Sequence, residues 1–228
     1  MTGASRGIGR AISLELASAT PSFEAVVMIA RKSDTFDQTY AEVSEISGDH
    51  QVVKIEADLS DLDAATEIFD TLERLGFEVE TLVNNAGFTK PASINETLMA
   101  DFERTMRVNL YAPFLLIQAA LQRGQPLKRI INIASTAGVN GRAGWLSYSA
   151  SKAAIINMSE VLREELKPFG IEVICLSPGR CATDLRKKLA PKEDPSTIMQ
   201  PEQVAQIVSV MLSNSGSLIC SGNIVVRT

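Results

Sequence analysis

Along the chain, short runs of apolar and β-branched residues alternate with longer segments whose apolar residues recur at three- and four-residue intervals. The short runs are AVVMIA (25–30), QVVKIEA (51–57), VETLVNNA (79–86), RIINIAS (129–135), IEVICLS (171–177) and NIVV (223–226). Several are apolar at successive positions, as a strand buried on both faces requires. Strands and helices in alternation build βαβ units, so the pattern predicts an α/β fold with a parallel sheet covered on both sides.

The longer segments read as helices. After the hydroxyl-rich YSASK, Ala154, Met158, Val161, Leu162 and Leu166 keep helical spacing until Pro168 and Gly170 stop the segment. LDAATEIFDTLERLG (62–76) behaves alike and ends at Gly76. Long helical stretches around 97–123 and 146–167 are candidates both for packing on the sheet and for subunit contacts. The polar, proline-punctuated KKLAPKEDPST (187–197) reads as an exposed loop, part of a substrate lid at about 180–200. With no repeat, low-complexity tract or linker, residues 1–228 read as one domain.

Composition narrows the classes of function. Of the 228 residues 45% are apolar, enough for a substantial core, and 22 basic against 27 acidic residues give a net charge of -5. The longest basic run is Lys187–Lys188, so neither nucleic acid nor an anionic membrane is an expected partner. No apolar stretch reaches the length of a membrane span and no signal-peptide layout opens the chain, which predicts a cytoplasmic protein. Cys175, Cys181 and Cys220 lack C-x-x-C spacing, and His50 is the single histidine, read as a solvated residue in the polar turn SGDHQ. A disulfide framework and a metal centre are therefore not expected.

The opening MTGASRGIGR carries Gly3, Gly7 and Gly9 ahead of the helical GRAISLELAS. Missing side chains let backbone approach a pyrophosphate, and the following helix offers its N-terminal N–H groups to the negative charge. Arg31 ends the run VVMIA, where a dinucleotide fold meets the adenosine ribose; arginine there suits the 2′-phosphate of NADP, where an acidic residue would suit NAD. Arg6 and Lys32 are further cations for that phosphate, and the alternative for Arg31 and Lys32 is a solvated loop. Asp58, closing the third run, fits either an adenine contact or a cap for a helix beginning near Asp61. NNAG (84–87) fits either close backbone approach to a cofactor or an Asx-rich turn.

Ser135 ends a strand-like run, and Tyr148 and Lys152 lie four residues apart on one helical face. Tyrosine ordinarily titrates near ~10, and a neighbouring ammonium with an oxidised nicotinamide ring would favour its phenolate. Such a phenol can exchange a proton with a carbonyl oxygen that the Ser135 hydroxyl fixes while hydride moves to or from the carbon. Asn109, inside a helical stretch, either holds a water that relays protons to Lys152 or marks a kink associated with Pro113.

Taken together, Thr2-Gly3-(x)3-Gly7-x-Gly9, Asn84-Asn85-Ala86-Gly87, Asn109, Ser135, Tyr148-(x)3-Lys152 and Pro178-Gly179 resemble the single-domain branch of the short-chain dehydrogenase/reductase family. The resemblance implies a Rossmann-type doubly wound sheet of seven parallel strands in three layers, NAD(P)-dependent hydride transfer, and a homodimer or homotetramer. By position it implies a catalytic group of Asn109, Ser135, Tyr148 and Lys152. It implies a cofactor groove from Gly3, Ser5, Arg6, Gly7, Ile8 and Gly9, then Arg31, Asp58 and Leu59. Asn85, Ala86, Gly87, Tyr148, Lys152, Pro178, Gly179 and Thr183, the last at the nicotinamide end, complete it. Arg6 with Arg31 resembles the NADP-preferring pattern, so NADPH is expected over NAD.

Two features depart from the family pattern. SGNIVVRT (221–228) lacks the glycine-rich ending common among acyl-carrier-protein reductases, and the apolar central strand expected before the glycine loop is missing from the given chain. Losing a central strand would remove several aliphatic side chains worth ~1.5–3 kcal/mol each, so the parent protein is expected to begin upstream of Met1. Arg142, Trp145, Arg180 and Arg186 flank the expected substrate position and suit a carboxylate or phosphate, though Arg186, Lys187 and Lys188 also fit the solvated face of a short helix. The reading is an NADPH-dependent carbonyl reductase acting on a small carbonyl substrate. An NAD-linked alcohol dehydrogenase and a non-catalytic dinucleotide-binding protein are the alternatives.

Overall fold

Each β-branched run becomes a strand. In a computed structural model, which describes residues 1–18, 23–48, 50–219 and 222–227, β1 (Ala25–Ala30) pairs in parallel with β2 (Gln51–Glu56). A second parallel block runs β3 (Thr81–Asn84), β4 (Arg129–Ile133), β5 (Glu172–Pro178) and β6 (Asn223–Val226) in that spatial order.

Met1 and Thr2 lie between the two blocks. The Met1 nitrogen donates to the Val27 carbonyl at 2.9 Å, and the Met1 carbonyl accepts from Ile29 N at 2.9 Å. On the other side Thr2 N donates to the Val83 carbonyl at 3.0 Å. The expected seventh strand is thus represented among the described residues by a short bridge, Thr2 to Ile29, which keeps β1 and β3 in register as parts of one sheet.

Residue alternation along the central strands separates two cores. Val83, Ile131 and Ile174 face α1 (Gly7–Ser18), α2 (Asp34–Ile46) and α9 (Pro201–Leu212), meeting Ile12, Phe36, Val43, Val204 and Val208. Leu82, Ile130 and Val173 face the other way, onto Ile68 and Phe69 of α3 (Ala64–Leu75), Leu116 and Ile117 of α5 (Ala112–Gln122) and Leu166 of α7 (Leu146–Leu166). This is the doubly wound, three-layer Rossmann-type architecture, with the expected burial on both faces of the sheet.

Local deviations have local causes. The segment read as one helix over 97–123 is α4 (Met99–Met106), a π-helical turn at Arg107–Tyr111 and then α5. The bulge precedes Pro113, which sits harmlessly in the first turn of α5, so the break lies at Asn109 and is not a proline kink. Asp58 does not cap α3, whose N-cap is Asp63; its carboxylate instead accepts from Ser60 N and Oγ at 3.0 and 2.8 Å. His50 is half-buried, its Nδ1 2.8 Å from the Phe23 carbonyl, which corrects the solvated reading. Cys175 and Cys181 are buried free thiols, and Cys220 lies outside the described residues. Among the described residues no helix is long and apolar enough to cross a membrane, and no cluster of three or more potential ligands could hold a metal.

Candidate active site

A cavity of about 440 Å³ opens at the carboxyl ends of the strands, beside the point where strand order reverses. One end is made by the glycine loop. Gly3 has φ +68°, a left-handed conformation that side chains rarely adopt, and a Cβ on Gly9 would lie 2.1 Å from the Gly3 carbonyl oxygen. Thr2 Oγ1 accepts from Asn85 N and Ala86 N at 3.0 and 3.1 Å, while Asn85 Nδ2 donates to the Thr2 carbonyl at 3.0 Å. The NNAG segment is therefore clamped against the loop from which α1 starts at Gly7. Loop, helix N-terminus and open groove fit a pyrophosphate.

Past the carboxyl end of β1, Arg31 and Lys32 are exposed and make no ion pair among the described residues. Partial burial pushes the Asp58 carboxyl up, but the Ser60 hydrogen bonds, with Arg31 and Arg104 nearby, outweigh it and hold the group below its ordinary value. Arg6 is tied at 3.5 Å to Asp184, both largely exposed, so an incoming phosphate competes with a carboxylate for it. Arg104 is a lining residue the sequence reading passed over: its guanidinium stacks 4.7 Å from the Phe88 ring centre and reaches Asp58 at 3.9 Å. The available signal was spacing, because Arg104 and Val108 are one helical turn apart and both line the cavity.

The other end gathers Ser135, Tyr148 and Lys152. Ser135 follows β4 and caps the short α6 (Thr136–Val139), its Oγ accepting from Ala137 N at 3.1 Å. Close contact of α6 with α7 needs Gly138, where a Cβ would meet the Lys152 carbonyl carbon at 2.5 Å. Lys152 is buried, donates to the Ile133 carbonyl at 2.7 Å, and is pushed down by burial to about 8. Its Nζ sits 5.9 Å from the Tyr148 ring centre.

Burial raises Tyr148 above its ordinary value, with a Ser135 hydrogen bond and the Arg186 charge pulling the other way. Burial outweighs both, and the Arg186 guanidinium is a cation that the expectation of Lys152 acting with an oxidised nicotinamide ring did not include.

All the expected cofactor-groove residues line this cavity, including Ser5, Ile8, Leu59, Pro178 and Gly179; of the expected catalytic group Asn109 does not. Its amide is occupied elsewhere. Asn109 Oδ1 accepts from Phe88 N at 2.8 Å, and Nδ2 donates to the Phe88 carbonyl at 3.0 Å and to Ser151 Oγ at 2.9 Å. Ser151 Oγ in turn donates to the Tyr148 carbonyl at 2.8 Å, so Asn109 braces the wall behind the reactive residues.

The segment expected to form a lid, about 180–200, is a loop tied at its base. Ala182 N donates to the Met199 carbonyl at 2.8 Å and Met199 N to the Arg180 carbonyl at 3.1 Å, closing its base. Between them lie α8 (Asp184–Leu189), capped by Thr183, and a 3₁₀ turn at Pro195–Thr197. Glu193, which the sequence reading did not single out, holds Arg186 through two bonds of 2.5 and 2.7 Å and Arg180 at 3.4 Å. One carboxylate thus holds two of the four residues expected to attract an anion and leaves them a net positive charge, and Arg186 is not a solvated helix-face residue.

A parallel sheet reversing strand order beside a glycine loop defines a dinucleotide-dependent α/β enzyme. Residues 1–194 match the short chain dehydrogenase family, and the chain belongs to it. It is accordingly an NAD(P)-dependent oxidoreductase of small substrates. Among its relatives, a 3-oxoacyl-(acyl-carrier-protein) reductase from Synechocystis sp. is 31% identical, over 97% of this chain and 91% of the relative. An NADPH-dependent aldehyde reductase-like protein, chloroplastic, from Arabidopsis thaliana is 30% identical, over 96% and 88%. The crystal structure of a short chain dehydrogenase from Burkholderia cenocepacia J2315 in complex with NADP is 28% identical. It superposes with a TM-score of 0.85 over 99% of this chain and 94% of that one.

Proposed function

We propose that this protein is an NADPH-dependent carbonyl reductase in which Tyr148 donates the proton, Ser135 fixes the carbonyl oxygen and Lys152 provides the adjoining positive charge. The observation that carries the reading is that Ser135, Tyr148 and Lys152 share one cavity with a glycine loop whose Gly9 admits no side chain. NADPH, when bound, supplies hydride to a carbonyl carbon. Burial keeps the proton on the Tyr148 phenol at neutral pH, the state that reduction needs. Ser135, whose hydroxyl hydrogen-bonds the Tyr148 phenol, stabilises the developing charge on oxygen.

The cofactor assignment rests on Arg31 and Lys32, exposed where the adenosine would lie and in no ion pair among the described residues. The Burkholderia relative bound to NADP supports the same choice. At the substrate end Arg142 is the cation with no ion pair among the described residues, stacked 5.3 Å from the Trp145 ring centre. Exposed Phe114, Leu121, Leu146 and Val161 on α5 and α7 supply apolar surface for a homodimer or homotetramer. Light scattering on the purified protein tests that assembly.

The test of function is NADPH consumption with 4-nitrobenzaldehyde, a neutral probe, and 4-carboxybenzaldehyde, an anionic one. Turnover that disappears in Tyr148→Phe while NADPH binding persists is the expected result, with a loss of about 10²–10⁴-fold. Undiminished turnover in that variant would overturn the reading.

A further inference from the structure

Trp145, Tyr148 and Arg186 line one end of the cavity, with Glu193 bonded to Arg186. The Trp145 ring meets the Tyr148 ring edge-on, with centres 6.4 Å apart. On Trp145 lies the Arg186 guanidinium, 5.4 Å from the ring centre, and behind Arg186 is Glu193, bonded at 2.5 and 2.7 Å. The ion pair is largely buried, with side-chain exposures of 14% and 15%, so its charges are poorly screened by solvent. Arg186 comes from α8 and Glu193 from the chain that follows it, whereas Tyr148 and Trp145 belong to the start of α7. The Trp145 ring contacts both the guanidinium and the Tyr148 ring, and Tyr148 is buried, so solvent screens the phenol little.

We propose that Arg186 is a positioning residue for proton transfer: through Trp145 it projects positive charge onto the Tyr148 phenol, and Glu193 sets how much of that charge the phenol feels. The proposal rests on the reading of Tyr148 as the proton donor. It assigns the electrostatic control of that group to the lid, a separate element from the helix that carries Tyr148 and Lys152.

The other groups around the phenol do not substitute for this arrangement. Ser135, from the end of β4, is a neutral hydrogen-bonding partner. Lys152, on the same helix as Tyr148, points one donor at the Ile133 carbonyl and is held at about 8 by burial. Arg142, from the loop before α7, stacks on Trp145 at 5.3 Å but is exposed, so solvent screens it. From the lid segment, Arg180 shares Glu193, Asp184 pairs with Arg6, and the Cys181 thiol is pushed up to about 12 by burial and stays neutral. Cys175 of β5, facing Lys152, is likewise neutral, pushed up to about 11. The Coulomb attraction of Arg186 is the charge that opposes the burial of Tyr148.

Removing either partner of the ion pair loosens the lid, so a structural role moves both variants alike, whereas a charge role moves them apart. The full chain labelled with [¹³Cζ]tyrosine gives the fraction of Tyr148 ionised at pH 10, its resonance assigned by loss in Tyr148→Phe. Arg186→Gln deletes the cation and leaves Glu193 behind, so ionisation should fall about threefold or more. Glu193→Gln deletes the anion and should raise it by a similar factor. Arg186→Lys keeps the charge and should stay close to the parent, which also serves should Arg186→Gln not fold. Movement of Arg186→Gln and Glu193→Gln in the same direction, or of neither, overturns the proposal, as does an Arg186→Lys protein that behaves like Arg186→Gln. Turnover of 4-nitrobenzaldehyde by Tyr148→Phe separately tests the proton-donor role: if it persists that role falls, and with it the catalytic meaning of the linkage, whatever the titration shows.

Discussion

Lys152 donates to the Ile133 carbonyl at 2.7 Å, so this buried cation is anchored by backbone at the end of β4 and not by a carboxylate. Desolvation without a counter-charge explains why it is pushed down to about 8 from 10.5. Between those values the unfolded chain holds the proton that the folded one has released, so stability rises with pH across that window. The penalty is fully present below pH 8, and its relief is on the order of 3 kcal/mol. Tyr148 acts oppositely above pH 10, where the unfolded chain ionises first and stability falls. Urea unfolding midpoints at pH 8 and 10 should therefore rise in the parent relative to Lys152→Met. Parallel pH dependence in the two proteins would show that the ammonium is not desolvated.

Gly9→Ala should damage cofactor binding without removing any polar group. The added Cβ would sit 2.1 Å from the Gly3 carbonyl oxygen and 2.6 Å from Asn85 Nδ2, and the first of these is backbone. Relieving the clash displaces the glycine loop from NNAG, costing about 1–3 kcal/mol in stability. NADPH affinity, read by fluorescence titration, should fall at least about tenfold, since ~1.4 kcal/mol of lost contact suffices. Gly141→Ala is the matched control, because a Cβ there meets nothing within 4 Å. Equal NADPH affinity in the two variants would remove the glycine loop from the proposed groove.

Arg31→Asp should exchange cofactor preference. Arg31 is exposed, and its electrostatic neighbour is Asp58, which it helps to hold ionised. A hydrogen bond to a charged group contributes about 1.5–3 kcal/mol, so NADPH affinity should fall on the order of 10- to 100-fold while NADH affinity holds or improves. Paired dissociation constants for the two reduced cofactors test this. Loss of both in proportion would place the 2′-phosphate elsewhere.

The strands were legible in the sequence because burial on both faces leaves uninterrupted apolar runs, and β1 and β6 keep the boundaries read from AVVMIA and NIVV. Site residues at strand ends were legible for a related reason: glycine, Asn and Ser cluster where backbone must approach a ligand. What remained hidden depends on side chains meeting across long sequence separations. Glu193 is seven residues from Arg186, yet it decides whether that arginine attracts an anion. The π-helical turn at Asn109 left no period of its own, since a single extra residue in a helix does not disturb the apolar pattern on either side. The burial that raises Tyr148 was not legible either, because it is a property of the folded cavity, whereas the spacing of Tyr148 and Lys152 shows proximity alone.

Asn109 separates a bracing role from a proton relay. Its amide saturates the Phe88 N–H and carbonyl and one bond to Ser151 Oγ, at 2.8, 3.0 and 2.9 Å, and the residue is 1% exposed. Asn109→Ala leaves the Phe88 N–H and carbonyl without their side-chain partner, while Ser151 Oγ keeps the Tyr148 carbonyl, and each buried orphan costs about 1–3 kcal/mol. A stability loss of about 2–4 kcal/mol is therefore expected in urea unfolding, with turnover falling because the wall behind Tyr148 loosens. Asn109→Asp keeps the acceptor for Phe88 N but loses both donations, so it should lie between the parent and alanine. Were Asn109→Ala as stable as the parent yet slow in turnover, the amide would be acting on the reaction and not on the fold, and the water-relay reading would be restored.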